Sequence, residues 1–238
     1  MRISTVLLLL CLLLPAVALF RPQAAFAGRE IPRTCVTAAQ CATDRKSQPV
    51  LFASYIFGLP RAQAVKLPGA RPGQGEFAND VILPEASFAG LSWTVRLEFR
   101  EDALVRVSLM GAGDAQRLAA VNSSLREMGF EMLAMLADGA RLDFPAILKT
   151  GGPDELQRRI KNLHDKKNPV RLSYAWFDTR QISRETKVMA RNLSELLQVV
   201  AAETREAEVT LLGDGKGNVV HILVDFSLPV LELQTYNR

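Results

Sequence analysis

Hydrophobic and polar side chains alternate along two neighbouring segments of the chain, as they do in strands with one buried face. Between residues 91 and 100 the apolar positions are Trp93, Val95, Leu97 and Phe99. Residues 104–110 alternate in the same way, and Glu101 and Asp102 separate the two segments. The pattern predicts an antiparallel hairpin whose apolar face lies against a core.

Helical spacing follows this hairpin and returns twice later in the chain. Asp114 is a favourable N-cap for a helix whose apolar residues recur every three or four positions, and Gly129 stands where that helix should stop. A second helix is predicted from Pro153 to the residues before Asn168. A long third helix is predicted from about Ser183 to Glu203.

Apolar runs rich in strand-forming residues separate these helices. A strand and a turn are predicted within residues 130–148, and further strands at 170–177, 209–212 and 219–226. This order of elements predicts an α+β fold, in which an antiparallel sheet is built from hairpins and about three helices pack on one face.

The first 27 residues have the pattern of a secretory signal peptide. Arg2 precedes an apolar run over residues 6–20, and Ala25 and Ala27 stand at the two positions that a signal peptidase recognises. The run is shorter than the ~20 residues of a transmembrane helix, so cleavage near Ala27 is favoured over anchoring. We therefore expect a periplasmic or secreted protein without a transmembrane segment after cleavage.

The mature chain is predicted to divide near residue 88. Residues 28–87 are expected to form a mobile N-terminal arm, because they begin as a polar stretch and contain a linker rich in Pro and Gly between 67 and 84. Within the arm, the apolar run at 50–59 predicts one short strand or a packed segment. Residues 88–238 are expected to form the compact α+β domain.

Composition narrows the class of protein without naming a function. The chain has 238 residues, of which 48% are hydrophobic, and a formal net charge of +4, as is typical of a globular protein. Cleavage after Ala27 removes two of the 29 Lys and Arg residues and none of the 25 Asp and Glu residues, so the mature protein is nearly neutral. This balance and the exported location argue against nucleic acid as a partner.

Two cysteines remain after cleavage, Cys35 and Cys41. In an oxidising compartment this pair can close a small disulfide loop. The spacing does not match a Cys-x-x-Cys redox pair, and Ala42 stands where a haem-attachment motif needs a histidine. A disulfide between Cys35 and Cys41 is the favoured prediction, and two free or intermolecular thiols are the alternative.

Short motifs for cofactors and metals do not reach the required pattern. The Gly111–Gly113 segment lies between a strand and a helix, but the third glycine of a dinucleotide-binding turn is missing and Asp114 would repel a pyrophosphate. The Asp214–Asn218 turn has Lys216 where a calcium loop needs an oxygen ligand. We predict no cofactor and no metal.

The two histidines do not form a base with an orienting acid. His164 lies among Lys and Arg near the end of the second predicted helix, and His221 lies four residues before Asp225 on the last predicted strand. Four residues of strand span roughly 13 Å, too far for such a hydrogen bond. We interpret both histidines as surface or half-buried residues and assign no catalytic residue.

The one patterned polar feature is a group of cations at the start of the long predicted helix. At about 100° per residue, the helix would place them opposite its apolar side. We call them the cation stripe; its members are Arg180, Arg184, Lys187 and Arg191. Such a stripe is ordinarily the solvated face of an amphipathic helix. The alternative is a surface for an anionic partner such as a lipid headgroup, a polysaccharide or an acidic protein.

These observations predict an exported cell-envelope protein that acts as a non-catalytic binding or structural accessory module, its partner being an anionic envelope component or another exported protein. The alternative is an exported hydrolase whose site is assembled from residues distant in the sequence. A buried acid or histidine with a strongly shifted pKa in a deep pocket would favour the hydrolase, and a shallow surface with a basic patch would favour binding.

Overall fold

The computed structural model describes residues 49–137, 139–165, 170–180 and 182–236. The predicted signal peptide, the Cys35–Cys41 pair and the first part of the predicted arm lie outside the described residues. Within the described ranges the chain forms eleven strands and six helices.

Residues 50–87 pack as part of the fold. Their elements are β1 (Val50–Phe52), β2 (Tyr55–Ile56), α1 (Arg61–Ala64), β3 (Arg71–Pro72) and β4 (Val81–Phe88). β1 pairs with β2, whereas β3 and β4 belong to the main sheet. Leu51, Phe57 and Val81 are fully buried in the main hydrophobic core. Packing is therefore continuous across the predicted boundary at residue 88, because the apolar residues of 50–87 are buried in the same hydrophobic core as those of the domain that follows.

The segment with the clearest alternation folds as predicted. Its elements are β5 (Leu91–Arg100), β6 (Ala103–Ala112) and α2 (Ala115–Glu127). β5 and β6 pair antiparallel, and Glu101 and Asp102 between them have φ of 46° and 62°, as a tight turn that follows the strand twist requires. The Asp114 carboxylate accepts a hydrogen bond from the Arg117 N–H at 2.6 Å, which confirms the predicted cap. The helix ends before Gly129, as expected.

A strand pair and a kinked helix come next. They are β7 (Phe130–Ala137), β8 (Ala140–Asp143) and α3 (Phe144–Asp165). The predicted helix from Pro153 is present, and a helical segment that begins at Phe144 precedes it, the two being separated by the non-helical backbone of Gly152. The Asp143 carboxylate accepts a hydrogen bond from the Ala146 N–H at 3.0 Å and caps the helix. Gly152 has φ of 72° and kinks the helix, so that Pro153 opens only its second half.

The predicted long third helix is wrong. In its place β9 (Arg171–Asp178) leads to two short helices, α4 (Arg184–Met189) and α5 (Leu193–Val199). Ala190 has an extended backbone that ends α4. The Asn192 side chain then accepts a hydrogen bond from the Glu195 N–H at 2.8 Å and begins α5.

The last described elements are a strand pair, which the sequence predicts, and a helix, which it does not. The elements are β10 (Glu206–Gly213), β11 (Val219–Ser227) and α6 (Pro229–Tyr236). Pro229 occupies the first helical position, where its fixed φ is favourable. Leu228 and Leu231 are buried in the main core and hold α6 to the rest of the molecule.

Nine strands form one antiparallel sheet in the order β3-β4-β5-β6-β11-β10-β9-β7-β8, which confirms the α+β class. Alternate residues of β9 belong to two hydrophobic clusters. Tyr174 and Trp176 join the main core together with side chains of α2 and α3, while Ala175 and Phe177 pack with α5. Since successive strand residues point to opposite faces, the sheet is covered on both faces near β9. The expected packing of about three helices on one face is not confirmed.

We call the sheet face that carries Ala175 and Phe177 the outer face. Toward β10, β11, β6 and β5 it becomes polar. No helix among the described residues is long and apolar enough to cross a bilayer.

An aromatic cluster joins β1 to the middle of the sheet. The ring centroids of Phe52 and Phe226 lie 4.7 Å apart in a stacked arrangement, and Phe88 meets these two rings edge-on at 5.2 and 5.8 Å. Each such pair adds about 0.5–1.5 kcal/mol beyond its buried area. These contacts make residues 50–87 integral to the core.

Candidate functional site

The cation stripe does not form one helix face, because the helix that would align it is broken. Arg180 precedes α4, Arg184 and Lys187 lie in α4, and Arg191 follows it. Lys187 Nζ lies 2.8 Å from Glu131 Oε1, and Arg191 Nε lies 3.1 Å from Glu195 Oε1. Exposed pairs of this kind contribute about 0–1 kcal/mol each. The carboxylates offset part of the charge that an anionic partner would meet, and a role for the stripe in binding stays a prediction.

Arg180 is engaged in a buried carboxylate contact at the end of β9. Asp178 Oδ2 lies 2.6 Å from Arg180 Nη2 and 2.7 Å from Arg205 Nη2. Burial pushes the pKa of Asp178 upward, but the hydrogen bonds from Arg180 and Arg205 outweigh this effect and hold that pKa below its usual value. The Arg205 guanidinium also lies 5.1 Å above the ring of Phe130. This contact joins the end of β9 to the segment that enters β10.

The Gly111–Gly113 segment serves close packing. The Gly113 N–H donates a hydrogen bond to Val220 O at 2.8 Å, and a Cβ on Gly113 would collide with the backbone of Val219 and Val220. Glycine is therefore required where β6 leaves the sheet beside β11. The following carboxylate, Asp114, is used to cap α2.

The Asp214–Asn218 turn is held by its own carboxylate. Asp214 Oδ1 accepts hydrogen bonds from the N–H groups of Lys216 and Asn218 at 2.7 and 3.1 Å, and Oδ2 accepts one from Asn218 Nδ2 at 2.7 Å. These hydrogen bonds lower the pKa of Asp214, that from Asn218 Nδ2 most. The resemblance to a calcium loop is explained by this turn chemistry.

Of the two histidines, the structure describes the side chain of His221 only. His221 is exposed on β11, where it lies opposite Leu212 and Ala112 in the sheet. His164 lies in α3, and its side chain is outside the described part of the chain. Among the described residues, no group of three or more His, Cys, Asp or Glu side chains could hold a metal ion.

A cavity of about 330 Å³ lies between β8 and the second half of α3. Its lining combines apolar residues with an arginine-rich rim; the residues are Ala140, Leu142, Leu163, Arg158, Arg159 and Asn162. Leu142 lies opposite Met135 of the main core in the β7–β8 pair. The cavity therefore lies on the core side of the sheet, at the edge formed by β8.

Two guanidiniums share one carboxylate at the rim of this cavity. Arg158 donates from Nε to Glu155 Oε2 at 2.8 Å, and Arg159 donates from Nε to Glu155 Oε1 at 2.6 Å. The hydrogen bonds from Arg159 and Arg158 lower the pKa of Glu155, which keeps it ionised. The Arg158 and Arg159 side chains are 65% and 49% exposed. One negative charge faces two positive charges, so the rim as a whole is positive.

A second charged feature, the carboxyl cluster, lies on the outer face. Its members are Glu206, Glu208, Asp225 and Glu232. Glu208 lies opposite Asp225 in the β10–β11 pair, and Glu206 lies opposite Ser227, the last residue of β11. Residues two apart on a strand share a face, so Glu206 and Glu208 are neighbours. Glu232 is buried, and the other three are half-buried.

Arg106 is the cation closest to the helical member of the cluster. Its Nη2 lies 3.0 Å from Glu232 Oε2, and its Nη1 lies 4.0 Å from Glu98 Oε2. Burial alone would lower the pKa of Arg106, but the two glutamates outweigh burial and raise it. The other oxygen of Glu232, Oε1, is buried without a hydrogen-bond partner among the described residues. Such an oxygen is costly to keep ionised.

Glu206 has the most strongly shifted carboxyl group of the cluster. Burial raises the pKa of Glu206 to about 7, and repulsion from Glu208 and Glu232 adds to this shift. The positive charges of Arg106 and Arg141 oppose it. Glu206 therefore exchanges its proton near neutral pH.

Asp225 and Glu232 shift in the same direction for the same main reason. Burial raises the pKa of Asp225, while the Ser108 hydroxyl and Arg106 moderate the shift. Burial also raises the pKa of Glu232, against the opposing charge of Arg106. Sequence patterns do not indicate this cluster; the one signal for its strand members is that they are acidic residues at the polar positions of alternating strands.

Together these features define an α+β protein built on an open nine-stranded antiparallel sheet, with an arginine-rimmed cavity on the core side and a carboxyl cluster on the outer face. No family model, curated protein or solved structure matches the chain. Inferences about its function therefore depend on the residues and the geometry described above.

Proposed function

We propose that this chain is an exported cell-envelope protein that acts as a non-catalytic binding or structural accessory module, and that its cavity receives an anionic group carried on an apolar body. The leader pattern of residues 1–27 supports export. The observation that carries the binding role is the cavity beside β8, where two guanidiniums border an apolar lining.

The chemistry of the lining selects the class of ligand. Ala140, Leu142 and Leu163 offer apolar surface, whose burial contributes about 25 cal/mol per Å². Arg158 and Arg159 carry planar donors of the kind that match a carboxylate or a phosphate, although Glu155 already accepts hydrogen bonds from the Nε of both. A volume of about 330 Å³ is near the lower limit of small-molecule sites, roughly 300 Å³. The cavity therefore suits one anionic head with a short apolar segment.

One observation favours the alternative, an exported hydrolase. A glutamate whose pKa is about 7 has the property of a general acid. However, Glu206 lies on the outer face of the sheet, whereas the cavity lies on its core side. A ligand in the cavity would be separated from Glu206 by the sheet, so binding remains the preferred proposal.

Binding can be tested with two probes that differ only in charge, octanoate and octanol. We expect octanoate to bind the mature protein about tenfold more tightly or better, because hydrogen bonds to charged groups contribute about 1.5–3 kcal/mol. Amide NMR shifts should locate the bound octanoate at β8 and the second half of α3. Isothermal titration calorimetry measures the affinities.

Matched variants separate the cavity from general positive charge. The Arg158→Gln/Arg159→Gln variant should lose the preference for octanoate, whereas Lys161→Gln, an exposed change on the same helix that leaves the cavity lining intact, should keep it. Equal affinity for octanoate and octanol in the wild type would overturn the proposal. So would an undiminished preference in the double variant.

A further inference from the structure

The C-terminal helix α6 combines an apolar anchor with a charged contact on the outer face. It begins just after Ser227, which lies opposite Glu206 in the sheet, and it contacts α5. Leu228 and Leu231 are buried in the main core. Glu232, one residue further, instead reaches Arg106. The helix therefore brings a carboxyl group into the carboxyl cluster.

Charged groups from several elements face Glu206. They are Glu208 on its own strand β10, Glu232 on α6, Arg106 on β6 and Arg141 on β8. Glu232 is faced in turn by Arg106, Arg100 and Glu98, and Asp225 is faced by Arg106, Glu208 and Arg96. Arg106 is the one cation that appears in all three surroundings, and it already pairs with Glu232 at 3.0 Å.

Ionisation of the whole cluster is unfavourable while α6 is closed. Glu206 and Glu232 would then be two negative charges on either side of the junction between sheet and helix, and Arg106 is directly paired with only one of them. Glu232 Oε1 also lacks a donor among the described side chains and backbone groups. An incompletely paired buried charge is strongly destabilising. A proton on Glu206 removes the repulsion, and movement of α6 into water removes it as well.

We propose that the carboxyl cluster is a proton-operated latch for α6. With a proton bound on Glu206, the helix lies closed and Glu232 pairs with Arg106. When this proton passes to solvent, repulsion between Glu206 and Glu232 shifts the equilibrium toward states in which α6 has moved away from the outer face and both carboxylates are hydrated.

The direction and size of the pH effect follow from linkage. The pKa of Glu206 is about 7 with α6 closed, and hydration in the open state returns it toward its ordinary value of 4.5, although repulsion from Glu208 on the same strand persists. Closure is therefore favoured below pH 4.5, weakens as the pH rises between these two values, and changes little above pH 7. A full return to 4.5 would make the closing equilibrium constant fall about 40-fold between pH 5 and pH 7, which is the upper limit of the effect.

Hydrogen exchange of the α6 amides, corrected for intrinsic rates, measures this equilibrium. We expect the protection of the amides of residues 232–236 to fall by up to about 40-fold between pH 5 and pH 7 in the wild type. Glu206→Gln mimics the protonated side chain, so the protection of α6 in this variant should be the same at pH 5 and at pH 7. Glu127→Gln, the same change on the exposed side of α2, is the matched control and should behave as the wild type.

A second measurement distinguishes opening of the latch from unfolding of the whole protein. Exchange through local opening depends weakly on urea, whereas exchange through global unfolding depends on it strongly. The α6 amides should show the weak dependence and those of α2 the strong one. The latch is refuted if the amides of α6 and α2 have equal protection factors and equal urea dependence. It is also refuted if Glu206→Gln retains the pH dependence of the wild type.

Discussion

The contact of Asp178 with two arginines predicts unequal coupling energies. Arg180 and Arg205 approach the same oxygen of Asp178 at nearly equal distances, 2.6 and 2.7 Å. Their surroundings differ, because the Arg205 side chain is 17% exposed and that of Arg180 is 58% exposed. Geometry alone would favour Arg180, because its Nε also donates to Asp178 Oδ1 at 2.9 Å, whereas the deeper burial of Arg205 favours the Arg205 pair.

The magnitudes follow from solvation. When Asp178→Ala removes the carboxylate, Arg180 can regain water, so its pair should contribute no more than about 1 kcal/mol. Arg205 would be left as a largely buried cation without its counter-ion. Breaking such a pair costs about 3–5 kcal/mol. We expect Asp178→Ala to lower the free energy of unfolding by about 3 kcal/mol, most of it through Arg205.

Double-mutant cycles and a pH series test this reasoning. Urea denaturation of Asp178→Ala, Arg180→Ala, Arg205→Ala and the two double variants should give the larger coupling energy for Asp178 with Arg205. The pKa of Asp178 lies below its ordinary value of 3.8, so the stabilisation is present above about pH 4 and is lost as the pH falls further. Equal coupling energies, or a larger one for Arg180, would refute the argument from burial.

Three further predictions concern charge and export. Glu206→Gln should raise the free energy of unfolding by up to about 3 kcal/mol at pH 8 and leave it unchanged at pH 4. The reason is that the pKa of Glu206 is about 7 in the folded state and 4.5 in the unfolded state, so ionisation destabilises the fold as the pH rises between these values. A difference in stability that does not depend on pH would contradict this. The exported protein should begin at Gly28 and contain no free thiol if Cys35 and Cys41 are joined, which intact mass and thiol counting determine. Replacing the cation stripe with glutamine should weaken retention on anionic vesicles at 0.1 M salt but not at 1 M, where the Debye length is only about 3 Å; equal retention in every condition would leave the stripe as a solvated surface.

Local chemistry accounts for the elements that the sequence predicts well. The turn at Glu101 and Asp102 and the cap at Asp114 each depend on neighbouring residues, and the alternation around them fixes which strand face is buried. The broken helix also had a local signal, since Asn192 and Glu195 have the spacing of a capping box. The apolar spacing continued through that point and concealed the break.

Elements whose position depends on tertiary contacts were missed for a physical reason. α6 is a short helix that is held by burying Leu228 and Leu231 in the main core, and short helices obtain most of their stability from such packing. The same holds for residues 50–87, where Pro and Gly indicate a linker although Phe52 stacks on Phe226. In both cases the deciding contact lies far away in the sequence.

Neither charged site could be predicted from the spacing of residues along the chain. Each is assembled from side chains that lie on one face of the sheet but come from different strands and helices. In β8, Leu142 points to the cavity on the core side, whereas Arg141 points to the outer face and lowers the pKa of Glu206. In β10, Glu206 and Glu208 occupy polar positions, and the raised pKa of Glu206 depends first on burial and then on repulsion from Glu208 and from Glu232 on α6. The strand β8 borders both sites but contributes different residues to each. Substitutions at the cavity rim and at the carboxyl cluster can therefore be made separately, and the binding proposal and the latch can be tested independently.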